Sequence, residues 1–75
     1  MDIKLFVKNG CTLCVPVKTF VAQLDNVKII NLDDEPDYIN QYNLMSTPTL
    51  VVETDDTTEI IVTPVLIMER LRKET

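Results

Sequence analysis

The feature that most constrains this chain is a change of apolar period within its first 32 residues. Ile3, Leu5 and Val7 alternate with Lys4 and Phe6, the period of two expected of a strand with a well-buried face. Asn9 and Gly10 break that pattern. From Cys14 onward, Val17, Phe20, Val21 and Leu24 recur at three- and four-residue intervals, which sets them on one side of a helix. Pro16 lacks an amide hydrogen and is tolerated only in a first turn, so the helix is predicted to begin within residues 12–15 and to end at Asp25 and Asn26. Residues 27–32 return to a β-branched run of strand length. Strand, helix, strand in that order predicts two parallel neighbours joined by a right-handed crossover.

The rest of the chain reads as one further helix and then two strands and a helix. Asp34, Glu35 and Pro36 suggest an acidic cap and a first-turn proline for a short helix carrying Tyr38, Ile39 and Tyr42, closed by Asn43. Residues 49–53 and 59–62 read as antiparallel strands separated by the polar residues 54–58. Thr63 and Pro64 supply a cap and a first-turn proline for a final helix through Lys73, where Arg70, Arg72 and Lys73 suit the negative end of the dipole. The expected class is therefore α/β, in the order βαβ-α-ββα, with a four-stranded mixed sheet and helices on both faces. Seventy-five residues leave room for one core, so residues 1–75 are expected to form a single domain with roughly 4,700 Å² of folded surface.

The formal net charge of −5 argues against nucleic acid or an anionic membrane as partner. Apolar stretches fall short of the roughly 20 residues of a spanning helix, and the N-terminus lacks the basic and apolar regions of a secretory signal. A cytoplasmic monomer is the expectation. The charge is unevenly spread: Asp33, Asp34, Glu35, Asp37, Glu53, Asp55, Asp56 and Glu59 fall in residues 31–59 with no Lys or Arg, whereas Lys4, Lys8, Lys18 and Lys28 face only Asp2 and Asp25 in residues 1–30. A solvated acidic surface is the plainest reading of that stretch.

Cys11, Thr12, Leu13 and Cys14 form the one Cys-x-x-Cys pair, directly after a strand and at the start of a helix. That context points to redox chemistry. Structural zinc would need four ligands, and with two Cys and no His it would require carboxylates or a dimer. A purely structural disulfide closing so short a loop stabilises by only about 2 kcal/mol, and two unrelated buried thiols are the remaining bland reading. Near a helix N-terminus, unpaired N–H groups and the positive end of the dipole favour thiolate over thiol. Cys11 is then the nucleophile, and Cys14, one turn further in, resolves the mixed disulfide. Lys8 is the nearest cation in sequence and either lowers the Cys11 pKa or is simply solvated at the strand end. Pro48, in Met45-Ser46-Thr47-Pro48-Thr49, fits a strand's first residue, where no ladder donor is needed. Tyr38 and Tyr42, four apart, either pack a helix on the sheet or line a groove near the cysteines.

With Cys11 and Cys14 after the first strand, Thr47-Pro48-Thr49 opening the third and a ββα ending, the chain resembles the thioredoxin superfamily over nearly its whole length. It looks like the small glutaredoxin-like members familiar from bacteria and bacteriophages. The resemblance implies a minimal thioredoxin fold, a cis Pro48 facing the cysteines, and a Thr47 backbone that pairs with an extended substrate segment. It places Thr12, Leu13, Thr47, Pro48 and Thr63 on the substrate-binding side and calls for no cofactor or metal. It implies a dithiol electron carrier that reduces protein disulfides, that of ribonucleotide reductase being one candidate, and is recharged by thioredoxin reductase or glutathione. The alternative is a non-catalytic module that binds a partner through the Pro48 groove. Three departures stand out. Thr12-Leu13 is neither the Gly-Pro of typical thioredoxins nor the Pro-Tyr of typical glutaredoxins. Val62-Thr63 replaces the Gly-Gly that helps glutaredoxins hold glutathione. Neither the buried Asp nor the Trp of thioredoxins is present.

Overall fold

A computed structural model provides the structure, which describes residues 1–74. The elements follow in the order β1 (Asp2–Val7), α1 (Cys14–Val21), β2 (Val27–Asn31), α2 (Asp37–Tyr42), β3 (Thr49–Glu53), β4 (Thr58–Ile61) and α3 (Pro64–Glu74). They make a four-stranded mixed sheet in the order β2-β1-β3-β4. β1 lies parallel to β2, with Ile3 beside Val27 and Val7 beside Asn31. It lies antiparallel to β3, with Ile3 beside Val52 and Phe6 beside Thr49. β4 closes the far edge as an antiparallel partner of β3.

A central strand covered on both faces must be apolar on both, and β1 is: Ile3, Leu5, Phe6 and Val7 are buried. On one face Ile3, Leu5, Val7, Leu50 and Val52 pack under Cys14, Val17 and Val21 of α1 and Ile67 and Leu71 of α3. On the other, Phe6, Ile30 and Val51 pack with Leu32 and Leu44, and Tyr38 and Tyr42 of α2 complete the layer. The accessible surface is 4829 Å², close to what scaling with mass gives. Among the described residues no helix is long and apolar enough to cross a membrane.

β2 ends at Asn31, one residue short of the expected run, and three further boundaries differ from expectation. α1 stops at Val21 rather than running to Asp25, because the Gln23 and Leu24 amides donate three residues back, to the carbonyls of Phe20 and Val21. Such bonds tighten a helix end, and Leu24 still packs against the core. α2 lacks the expected acidic side-chain cap, and Pro36 itself takes the N-cap position. The Asp34 and Glu35 amides both donate to the Asn31 carbonyl, and the turn so formed precedes the helix. Asn43 closes α2 as expected, in the left-handed conformation. β4 spans Thr58–Ile61 instead of residues 59–62, since the Thr54 amide donates to the Thr57 carbonyl at 2.9 Å and shortens the hairpin loop by one residue.

Candidate active site

The parallel pairing of β1 and β2 brings the ends of both strands to one edge of the sheet, and the antiparallel register brings the start of β3 and the end of β4 to the same edge. The loops leaving those ends carry the site. After Val7 the chain turns through Gly10, whose φ of 75° is a conformation that side-chain-bearing residues rarely adopt. Beyond Gly10 and its two chain neighbours no heavy atom comes within 4 Å of where a Cβ would sit, so backbone conformation rather than space calls for glycine. The Cys11 amide donates to the Lys8 carbonyl at 3.3 Å, and the Cys14 amide to the Cys11 carbonyl at 3.2 Å. These two bonds hold the Cys-x-x-Cys segment as a turn immediately ahead of α1.

Cys11 and Cys14 form a disulfide with 5.3 Å between their Cα atoms. Their surroundings differ sharply. Cys14 is 1% exposed and belongs to the larger core cluster, whereas Cys11 is only partly buried. A cavity of about 390 Å³ reaches both, and Lys8, Thr12, Lys18 and Asn31 are among its lining. A second cavity of about 350 Å³ adjoins it, since Lys8 lines both; Asp33, Ile39, Met45 and Thr47 are among the residues of its wall.

The Thr47–Pro48 bond is cis. Pro48 is buried, and the β1–β3 ladder ends at the Phe6–Thr49 pair, so Thr47 stands beyond it in the wall of the second cavity. The buried Thr49 hydroxyl donates to the Ser46 carbonyl at 2.7 Å and holds this loop. The residues read from sequence therefore divide. Cys11, Cys14, Thr12 and Lys8 share one cavity, Thr47 lines the next, and Leu13, Pro48 and Thr63 line neither. Thr63 is exposed, and its carbonyl accepts the Ile67 amide at the start of α3. Tyr38 and Tyr42 pack against Phe6, with ring centroids 5.2 and 5.7 Å from it, and line neither cavity.

Sequence reasoning missed a polar lock in the walls of the two cavities. The Asn9 amide donates to Asp33 Oδ2 at 2.8 Å, Asn31 Nδ2 donates to Asn9 Oδ1 at 2.9 Å, and the Asp33 amide donates to Asn31 Oδ1 at 2.8 Å. Together they tie the loop after β1 to the end of β2. The signal was available: once β1 and β2 are taken as parallel, Asn9 and Asp33 follow paired strands at the same edge. Lys18 was also missed, although it lies four residues after Cys14, one turn along the same helix. Among the described residues no three metal-ligating side chains cluster.

No known family profile matches the chain, and no curated protein matches it in sequence. Solved structures do. Thioredoxin 1 from the thermophilic eubacterium Thermosipho africanus superposes with a TM-score of 0.66 at 19% identity, over 99% of this chain and 97% of that one. A crystallised thioredoxin-like protein superposes at 0.67 and 22% identity over 99% and 100% of the two chains. The fold is thioredoxin-like. Mitochondrial thioredoxin 3 from Saccharomyces cerevisiae, in its oxidised form, agrees at 0.69 and 16% identity over 95% and 76%. On this thioredoxin-like frame the Cys11–Cys14 disulfide suggests a redox function in general.

Proposed function

We propose that the chain is a thiol–disulfide oxidoreductase, a dithiol carrier that reduces disulfides in partner proteins of a reducing cytoplasm. The observation that carries this is the asymmetry of the pair, with Cys11 only partly buried and Cys14 a member of the core, on a cavity that both residues line. In the reduced protein the Cys11 thiolate attacks a partner disulfide; a mixed disulfide forms and one partner sulfur leaves as thiolate, which takes up a proton. Cys14, having lost its proton to solvent, then attacks the Cys11 sulfur, re-forms the Cys11–Cys14 bond and releases the second partner thiolate. Two electrons pass from the carrier to the partner. An external reductant returns them, and we assign that role to thioredoxin reductase over glutathione, because Val62 and Thr63 put two β-branched side chains where glutaredoxins have glycines.

Iodoacetamide labelling of the reduced protein tests the assignment. Label on Cys11, titrating below the free-thiol pKa of about 8.5, supports it; label chiefly on Cys14 reverses the roles. NADPH-coupled insulin reduction, driven in parallel by thioredoxin reductase and by glutathione with its reductase, tests the activity. Cysteines that stay inert in both would favour the binding-module alternative, and a kcat/KM tenfold higher with glutathione would overturn the choice of reductant.

A further inference from the structure

The cavity over the disulfide has a charge opposite to that of the chain. The protein carries 12 Asp and Glu against 7 Lys and Arg, yet among the described residues the charged ones lining this cavity are Lys8 and Lys18, with no carboxylate. Elsewhere Lys4 pairs with Asp2 and Glu53, and Arg70 with Glu59. Lys8 and Lys18 have no salt-bridge partner among the described residues. Lys28, exposed on β2, has none among them either, so what sets Lys8 and Lys18 apart is that both line the cavity that holds the cysteines. Asp33 accepts the Asn9 amide and lines the neighbouring cavity, whose wall it shares with Lys8. The carboxylates gather beyond it, where Asp34, Glu35 and Asp37 line a third cavity beside α2.

Two cations left unmatched at the reacting sulfurs select for charge in whatever docks there. We infer that the redox site prefers a partner segment whose disulfide cysteine is flanked by Asp or Glu, with Lys8 and Lys18 as the specificity-determining residues. This rests on the redox reading above. A carboxylate next to the partner's cysteine meets one or both ammonium groups as the sulfurs come together. A Lys or Arg in that place meets two like charges and, towards α2, no help within the cavity. Screening sets the range: at 0.1 M salt the Debye length is about 10 Å, so groups lining the cavity still act while much of the distant acidic surface is damped.

The test is a single-turnover reaction. Protein reduced with dithiothreitol and freed of it is mixed with disulfide-linked dimers of short peptides that differ only in the residue after Cys: Glu, Gln or Lys. At about 0.1 M salt the Glu dimer should be reduced roughly tenfold faster than the Lys dimer, with Gln between them, and the spread should shrink to within about twofold near 1 M salt. Lys18→Gln and Lys8→Gln should each lower the Glu-to-Lys ratio by about threefold. The ratio is the decisive readout, because a lysine that merely favoured the Cys11 thiolate would change all three rates together. Equal rates for the three dimers, or a ratio unchanged in the double variant, overturn the inference while leaving the redox reading standing. Failure to reduce any dimer overturns both.

Discussion

The two faces of the sheet are built on different principles. The buried residues of the face under α1 and α3 are all aliphatic apart from Cys14, with Phe20 partly buried against them. The face under α2 keeps the aliphatic Ile30, Leu32, Leu44 and Val51 but adds aromatic and polar groups: α2 has six residues, none of them fully buried, and its hold on the sheet combines Tyr38 and Tyr42 against Phe6 with a charged network. There Tyr42 Oη donates to Glu53 Oε1 at 2.5 Å, Lys4 Nζ donates to the same oxygen at 3.1 Å and also pairs with Asp2. The difference shows a division of labour. Rigid aliphatic packing sits behind the cysteines, where a fraction of an ångström decides whether two sulfurs meet, while the face away from α1 is held by groups that water and pH can reach.

The comparison is broken most directly by Leu5→Ala. Leu5 is fully buried beneath the helices that carry and brace the site, and the truncation should cost about 3 kcal/mol, a large share of the stability of so small a domain. Urea denaturation measures it; a loss below about 1 kcal/mol would mean that the aliphatic face is not the stiffer one. Tyr42→Phe on the opposite face keeps the ring packing and removes only the hydroxyl, so the expected loss is about 1 kcal/mol, with disulfide reduction unchanged. A loss matching that of Leu5→Ala would put the two faces on an equal footing.

The smallest effect is a pH slope. Hydrogen bonds from Tyr42 and then Lys4 hold the Glu53 carboxyl below its ordinary value of 4.5, and Lys4 does the same for Asp2 from 3.8. A carboxyl whose pKa is depressed on folding contributes stability that is complete above its unfolded value and drains away as pH falls through the folded one. Stability should therefore decline below about pH 4.5, and Glu53→Gln should flatten that decline. Parallel curves for the two proteins would show that the network adds nothing.

The aliphatic face was the legible one. Ile3, Leu5 and Val7, and then Cys14, Val17 and Val21, announce their burial through period alone, and those same residues locate the cysteines at a strand–helix junction. The α2 face was much less so. Lys4 reads as an exposed alternate residue, but its partner Glu53 is 49 positions away, and nothing local in either residue signals the other. The Asn9, Asn31 and Asp33 lock was half legible: parallel strands bring Asn9 and Asp33 to one edge, but the bonds across 22 and 24 positions also depend on strand register, which patterning leaves open. Cys11 and Cys14 were legible because their chemistry needs only a spacing and a helix start. The role inferred for Lys18 needed the cavity.

Cys14 is at once half of the disulfide and one of the buried residues of the main core, so in the proposed reaction breaking and making its bond cannot be separated from folding. Oxidised and reduced forms, folded and unfolded, are the four corners of one thermodynamic cycle. Each displacement of about 30 mV between the potential of the folded pair and that of the same two cysteines in the unfolded chain equals about 1.4 kcal/mol of difference in stability between the two redox forms. Paired melting curves, one with and one without reductant, would therefore measure how far the fold itself drives electron transfer.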